Sequence, residues 1–186
     1  AAAHFRDSVT LSDRHGLPAT RTYALGNLAE LALIRGELDA AAGHSRRAYE
    51  TAAQTGARGI QAWARNVDAR IALRRGALAE ARTALRESLE SAVAIGQRTL
   101  VTGGLIAFAE LLAAQGEVEA ARRVLDYVAV HPWTDAPGRS DAETQRARWP
   151  GPSYPWQGPD YDELVQRVVV ETPTAHAALV AAIDPR

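Results

Sequence analysis

Apolar side chains recur along the first 131 residues with the spacing of a helix that buries one face. Over 20–35 they fall at Leu25, Leu28, Ala29, Ala32 and Leu33, and Gly36 follows where a helix would stop. A second stretch over 38–53 is Ala-rich on one side, carries Arg46, Arg47 and Glu50 on the other, and ends near Gly56. The same pair of stretches returns over 61–75 with 78–95, and over 100–115 with 119–130. Residues 5–14 match the second helix of such a pair without its first, and this leading helix is expected to dock on the helix that follows it. The spacing therefore predicts paired helices, A and B, in each unit.

The period of the pairs is fixed. Gly36, Gly76 and Gly116 stand 40 residues apart, and so do Gly16, Gly56 and Gly96. Small residues keep the same register: Ala41, Ala81 and Ala121 in the B stretches, and Ala29, Ala69 and Ala109 in the A stretches. Small residues let helices approach closely, and larger groups such as Leu28, Leu38, Leu78, Leu85, Leu89, Phe108, Leu111 and Leu125 fill the space between units. Asp68 is the exception, because it stands where the other units have Leu28 and Phe108. Its carboxylate is expected either to turn to solvent or pair with an arginine such as Arg65, or to make a polar contact inside a groove.

After residue 131 the pattern changes. Eight of the nine prolines and three of the four tryptophans lie from Pro132 onward, and 133–159 shows no apolar period. That segment is expected to be irregular, with Trp133, Trp149, Tyr154 and Trp156 pinning parts of it to a helical surface. An amphipathic helix is expected again over 160–170, with Leu164, Val165, Val168 and Val169 inward. Thr172 and Pro173 then open a last helix to Ile183. The organisation read from the pattern is an array over 1–131 (a half-unit 1–16 and units 17–56, 57–96 and 97–131), an irregular Pro/Trp-rich segment over 132–159, and capping helices over 160–186.

Composition removes chemistry from this picture. The chain has 186 residues, no Cys and no Met, and a formal net charge of −1. The missing Cys excludes thiolate nucleophiles, thiolate metal sites and disulfides. The five histidines, His4, His15, His44, His131 and His176, show no i, i+4 pair, so no metal or other cofactor is expected. No Gly-x-Ser-x-Gly elbow occurs, and Gly103-Gly104 lies inside a helical stretch, where it permits close contact or a bend instead of cradling a phosphate. With no matched acid, base or nucleophile, no catalytic residue is assigned and an enzyme is the least favoured class. The doublets Arg46-Arg47, Arg74-Arg75 and Arg122-Arg123 are interleaved with acidic residues. Across 1–131, 16 arginines face 14 carboxylates, a net of +2, so a solvated face is expected in preference to a nucleic-acid stripe. No membrane span or signal peptide is read, so a cytoplasmic location is expected. The start at Ala1 and the lack of Met lead to the expectation that the chain is a piece of something longer. All 21 basic residues are Arg, a pattern expected of a GC-rich coding sequence.

The run Leu25-Gly26-Asn27-Leu28-Ala29-Glu30, followed by Gly36-Glu37-Leu38-Asp39-Ala40-Ala41, resembles the tetratricopeptide repeat. A unit of 40 residues is similar to the variant found in large bacterial signal-transduction ATPases and transcriptional activators. The run from Glu50 to Gly56, then Gln61-Ala62-Trp63, and the exit through Val130-His131-Pro132 also look like their C-terminal arrays. The resemblance implies an all-α fold, a right-handed α-α superhelix. It further implies a protein- or peptide-binding module, a fragment of a larger regulatory protein in signal transduction or transcription.

In such arrays the A helices line the concave groove. Carried over by register, the groove residues here are Tyr23, Asn27 and Glu30 in the first full unit. The second contributes Trp63, Asn66, Arg70 and Arg74, and the third Gly103 and Glu110. Tyr23 and Trp63 occupy equivalent positions and would make an anchoring pair, since aromatics carry much of interface energy. The alternative is that Trp63 packs between units. The expected partner is a protein or peptide, with no nucleic acid and no membrane. Two further readings stand beside it: a self-association scaffold, giving a homodimer through an exposed terminal repeat, and a sensor of a small ligand or signalling peptide with the C-terminal tail as lid.

Overall fold

A computed structural model describes residues 1–153. The described residues form eight α-helices and no strands: α1 (Ala2–His15), α2 (Pro18–Ile34), α3 (Leu38–Thr55), α4 (Arg58–Arg74), α5 (Leu78–Ala94), α6 (Arg98–Ala114), α7 (Val118–Val130) and α8 (Ala136–Ala147). The chain divides into two compact units, Ala1–Ile95 and Gly96–Arg186. Among the described residues no helix is long and apolar enough to cross a membrane. The C-terminal helices expected over 160–170 and from Thr172, with Tyr154 and Trp156, lie outside the described residues.

The two glycine series merge into one rule. Gly16, Gly36, Gly56, Gly76, Gly96 and Gly116 all have φ between 62° and 90°, so every twentieth residue is left-handed. At Gly36 the Glu37 amide donates to the Ala32 carbonyl (2.9 Å) and the Gly36 amide to that of Leu33 (3.0 Å), which satisfies the free carbonyls of the helix end. Gly76 and Gly116 repeat the arrangement, with Ala77 bonding to Ala72 and Glu117 to Leu112 (2.9 Å each). The next helix starts almost at once. No side chain caps the start of α1 to α7, so the glycine turns alone mark these boundaries.

In the first unit, α1 docks on α2 as expected of a leading half-unit, with Phe5 and Val9 of α1 against the cluster of Leu25, Leu28, Ala48, Ala52 and Ile60. A second cluster joins α2, α3 and α4 through Ala29, Leu33, Ala41, Val67 and Ile71. The register alanines are the contact points. Ala29, Ala41, Ala69, Ala109 and Ala121 are completely buried and Ala81 nearly so. Where backbones come this close, hydroxyls reach across: Ser45 Oγ of α3 donates to the Ala64 carbonyl (3.1 Å), and Ser88 Oγ of α5 to that of Ala62 (2.8 Å). Asp68 takes the paired option, 3.3 Å from Arg65 Nη1.

The second unit corrects one expectation. Within the segment expected to be irregular, residues 136–147 are helical, and α8 packs on α7 and α6. Its start signal is capping chemistry: Asp135 accepts a hydrogen bond from the Gly138 amide (2.8 Å), and Pro137 sits in the first turn. Only Ala142 and Gln145 are buried on α8, too few positions to show as a period. Trp133 is half-buried, held in an edge contact with His131 (5.2 Å between ring centroids) and under the Arg98 guanidinium (3.8 Å). In the last turn of α8, Arg146 pairs with Asp126 (2.8 Å) and donates to the carbonyls of Trp149, Gly151 and Pro152.

Gly76→Ala meets no neighbouring atom within 4 Å, so its cost is that of the left-handed backbone, about 1–2 kcal/mol, read as a lower midpoint in urea with an unchanged slope. His44 of α3 is half-buried with an unpartnered Nδ1, and burial, then Arg47, then Arg6, hold its pKa below 6.5. The folded state disfavours the charged ring and the unfolded chain does not, so His44 destabilises the fold as pH falls below 6.5. His44→Gln is expected to lose less Tm than the parent chain between about pH 7 and about pH 5.

Candidate functional site

Tyr23, Asn27 and Glu30 recur on α2 at intervals of four and three, and Trp63, Asn66, Arg70 and Arg74 on α4 at three, four and four, so each set runs along one side of its helix. The two helices pack directly against each other. Seven of the register-assigned residues thus belong to one pair of neighbouring helices in the first unit.

Their roles differ. Trp63 lies down on α2: a methyl group added at Gly26 would stand 2.5 Å from ring carbon Cζ3 and 2.9 Å from Cε3. The ring is half-buried and packs against both apolar clusters of this unit. Tyr23, its register equivalent, is 61% exposed. The two aromatics are therefore not an equivalent pair: Trp63 packs between helices and Tyr23 projects to solvent. Gly26 decides this, and it was missed as a seat. The available signal was a glycine inside a helix, which costs about 1 kcal/mol against alanine and so calls for a packing reason.

Glu30 and Arg70 face each other across the helix pair at 3.8 Å, with the guanidinium the more buried partner. Asn27 Nδ2 donates to the Tyr23 carbonyl one turn back (2.8 Å), so the amide is committed to its own helix. Asn66 is buried, and its Nδ2 makes no hydrogen bond. Arg74 is exposed at the end of α4. The two residues assigned to the third unit lie on α6, in the second compact unit. Glu110 is 8% exposed, buried instead of open, because α6 is covered along most of its length from Val101 to Leu112. Gly103 is half-buried on the same helix.

The α2–α4 surface presents an exposed phenol, an indole packed on Gly26 one turn further along α2, and a carboxylate and guanidinium side by side. The indole supplies a rigid apolar floor at no further entropic cost, since packing already holds it.

Gly26→Ala is expected to displace the Trp63 ring. The fold loses about 1–3 kcal/mol through overpacking, more than the helix propensity that alanine returns. Tryptophan emission, taken as a difference from Trp63→Phe, moves to longer wavelength; unchanged emission with raised stability would show that the ring does not depend on this glycine. Among proteins of known family, curated record or solved structure, none matches this chain.

Proposed function

We propose that the chain is a tetratricopeptide-like helical array that works as a protein- or peptide-binding module, and that the α2–α4 surface is where the partner sits. The observation that carries this reading is the exposed Tyr23 beside the packed Trp63. Tyr23 is left 61% open on a helix whose other apolar residues are mostly buried, so the fold does not bury its ring. An exposed aromatic over a rigid floor is the usual form of an interface anchor. The Glu30–Arg70 pair supplies a donor and an acceptor in one place, which suits the backbone and mixed side chains of a peptide or helix better than a ligand of one charge.

Tyr23→Ala with Arg74→Ala alters only exposed side chains, so the fold is expected to keep its Tm. Partner captured from a lysate by the full chain falls about tenfold or more. Arg46→Ala with Arg47→Ala, exposed on α3, leaves capture unchanged. Equal capture by both variants would remove the site from this surface.

A further inference from the structure

The first unit contains a worked example of one A helix seated on another. Trp63 of α4 lies on Gly26 of α2, and further along both helices Arg70 reaches Glu30 at 3.8 Å. The contact positions advance together, so α4 runs parallel to α2. Beside these contacts Val67 and Ile71 of α4, 1% and 3% exposed, pack in one cluster with Ala29 and Leu33 of α2. The helix α4 thus brings a ring, two aliphatics and a charge, and α2 receives them with a glycine, a small residue, a leucine and the opposite charge.

Forty residues earlier, the same four positions on α2 are Tyr23, Asn27, Glu30 and Leu31. The helix α1 packs on α2 as its register equivalent α3 packs on α4. Among the described residues the neighbours of α2 are α1, α3 and α4, and no helix takes toward α2 the place that α2 takes toward α4. Exposure follows from this. Tyr23 is 61% open, Asn27 and Leu31 are half-exposed where Val67 and Ile71 are buried, and the Glu30 side chain is 37% open although it faces Arg70. One turn beyond, Ile34 is 70% exposed. A face that is closed on α4 is open on α2.

We propose that this open face of α2 is a seat for a single α-helix of a partner protein, lying parallel to α2 as α4 does on its other side. The occupant's chemistry can be read from inside the molecule. A ring laid on a helix needs a residue without Cβ under it, since at Gly26 a methyl group would stand 2.5 Å from Trp63. The occupant therefore carries a glycine opposite Tyr23. Three and seven residues later it carries a small and an aliphatic residue, as Ala29 and Leu33 follow Gly26. Four residues after the glycine it carries an arginine or lysine, because α2 presents Glu30 where α4 presents Arg70. The occupant is thus the pattern of α2 with its charge reversed. That reversal disfavours a second copy of this chain, which would bring two Glu30 carboxylates together. The inference rests on the α2–α4 surface being the binding surface and names the kind of partner it takes.

The probe is a fluorescently tagged peptide of residues 18–34 carrying Glu30→Arg. A hydrocarbon staple between positions 24 and 28, each roughly 160° around the helix from Gly26, fixes it as a helix from the far side. Titrated with the full chain, it is expected to show saturable anisotropy with Kd below about 1 mM. Gly26→Leu in the peptide weakens binding about tenfold or more, and so does Tyr23→Ala in the chain. The peptide with its native Glu30 binds about fivefold more weakly. No saturation, or binding indifferent to Tyr23 or to the peptide's glycine, would overturn the helix seat. Equal binding by the Glu30 peptide would overturn the charge-reversed partner in favour of a second copy. A peptide that fails while capture from a lysate still depends on Tyr23 and Arg74 overturns the seat and keeps the α2–α4 surface, whereas capture independent of both residues removes the surface itself.

Discussion

Each helix from α1 to α6 is followed by a glycine with positive φ. A helix that must hand over to an antiparallel neighbour in two or three residues needs its last carbonyls satisfied and its direction changed at once. A left-handed residue does both, and glycine alone adopts that conformation without a Cβ penalty. Six glycines at intervals of 20 supply it, from Gly16 to Gly116. Because these helices lack side-chain caps, their lengths, and through their lengths the register of their buried faces, follow from the glycine positions.

Equal lengths put equal positions opposite each other, and alanine is what those positions need. Ala29, Ala41, Ala69 and Ala81 are buried in the first unit, and Ala109 and Ala121 in the second. The closeness carries secondary consequences. Ser45 and Ser88 reach carbonyls of a neighbouring helix, and Gly26 leaves room for an indole where an alanine would leave none. The helix α4 is shaped by this on both sides. Trp63 fills the seat that Gly26 leaves, and on the far side Arg65 and Asp68 pair at positions that Leu25 and Leu28 fill in α2.

The α2–α4 surface follows from the same asymmetry. An array built only for stability would bury both aromatics of the register pair. Here Trp63 is packed between helices and Tyr23 is left projecting. Glu30 and Arg70 are partly shielded from water, which strengthens their mutual attraction relative to fully solvated charges.

Sequence alone determined what is local or strictly periodic. The helices, their ends, the alanine contacts and the pairing of Asp68 with Arg65, three residues apart on one helix, all depend on spacing along the chain, and spacing is visible without coordinates. The helix α8 escaped because capping by Asp135, not an apolar period, starts it. Tertiary structure decided everything that depends on what stands opposite. Tyr23 and Trp63 share a register position, yet one is exposed and the other seated, because burial is a property of the facing helix and only Trp63 faces a glycine. Glu110 looked open by register and is covered because α6 is enclosed along its length, a fact no residue of α6 records by itself.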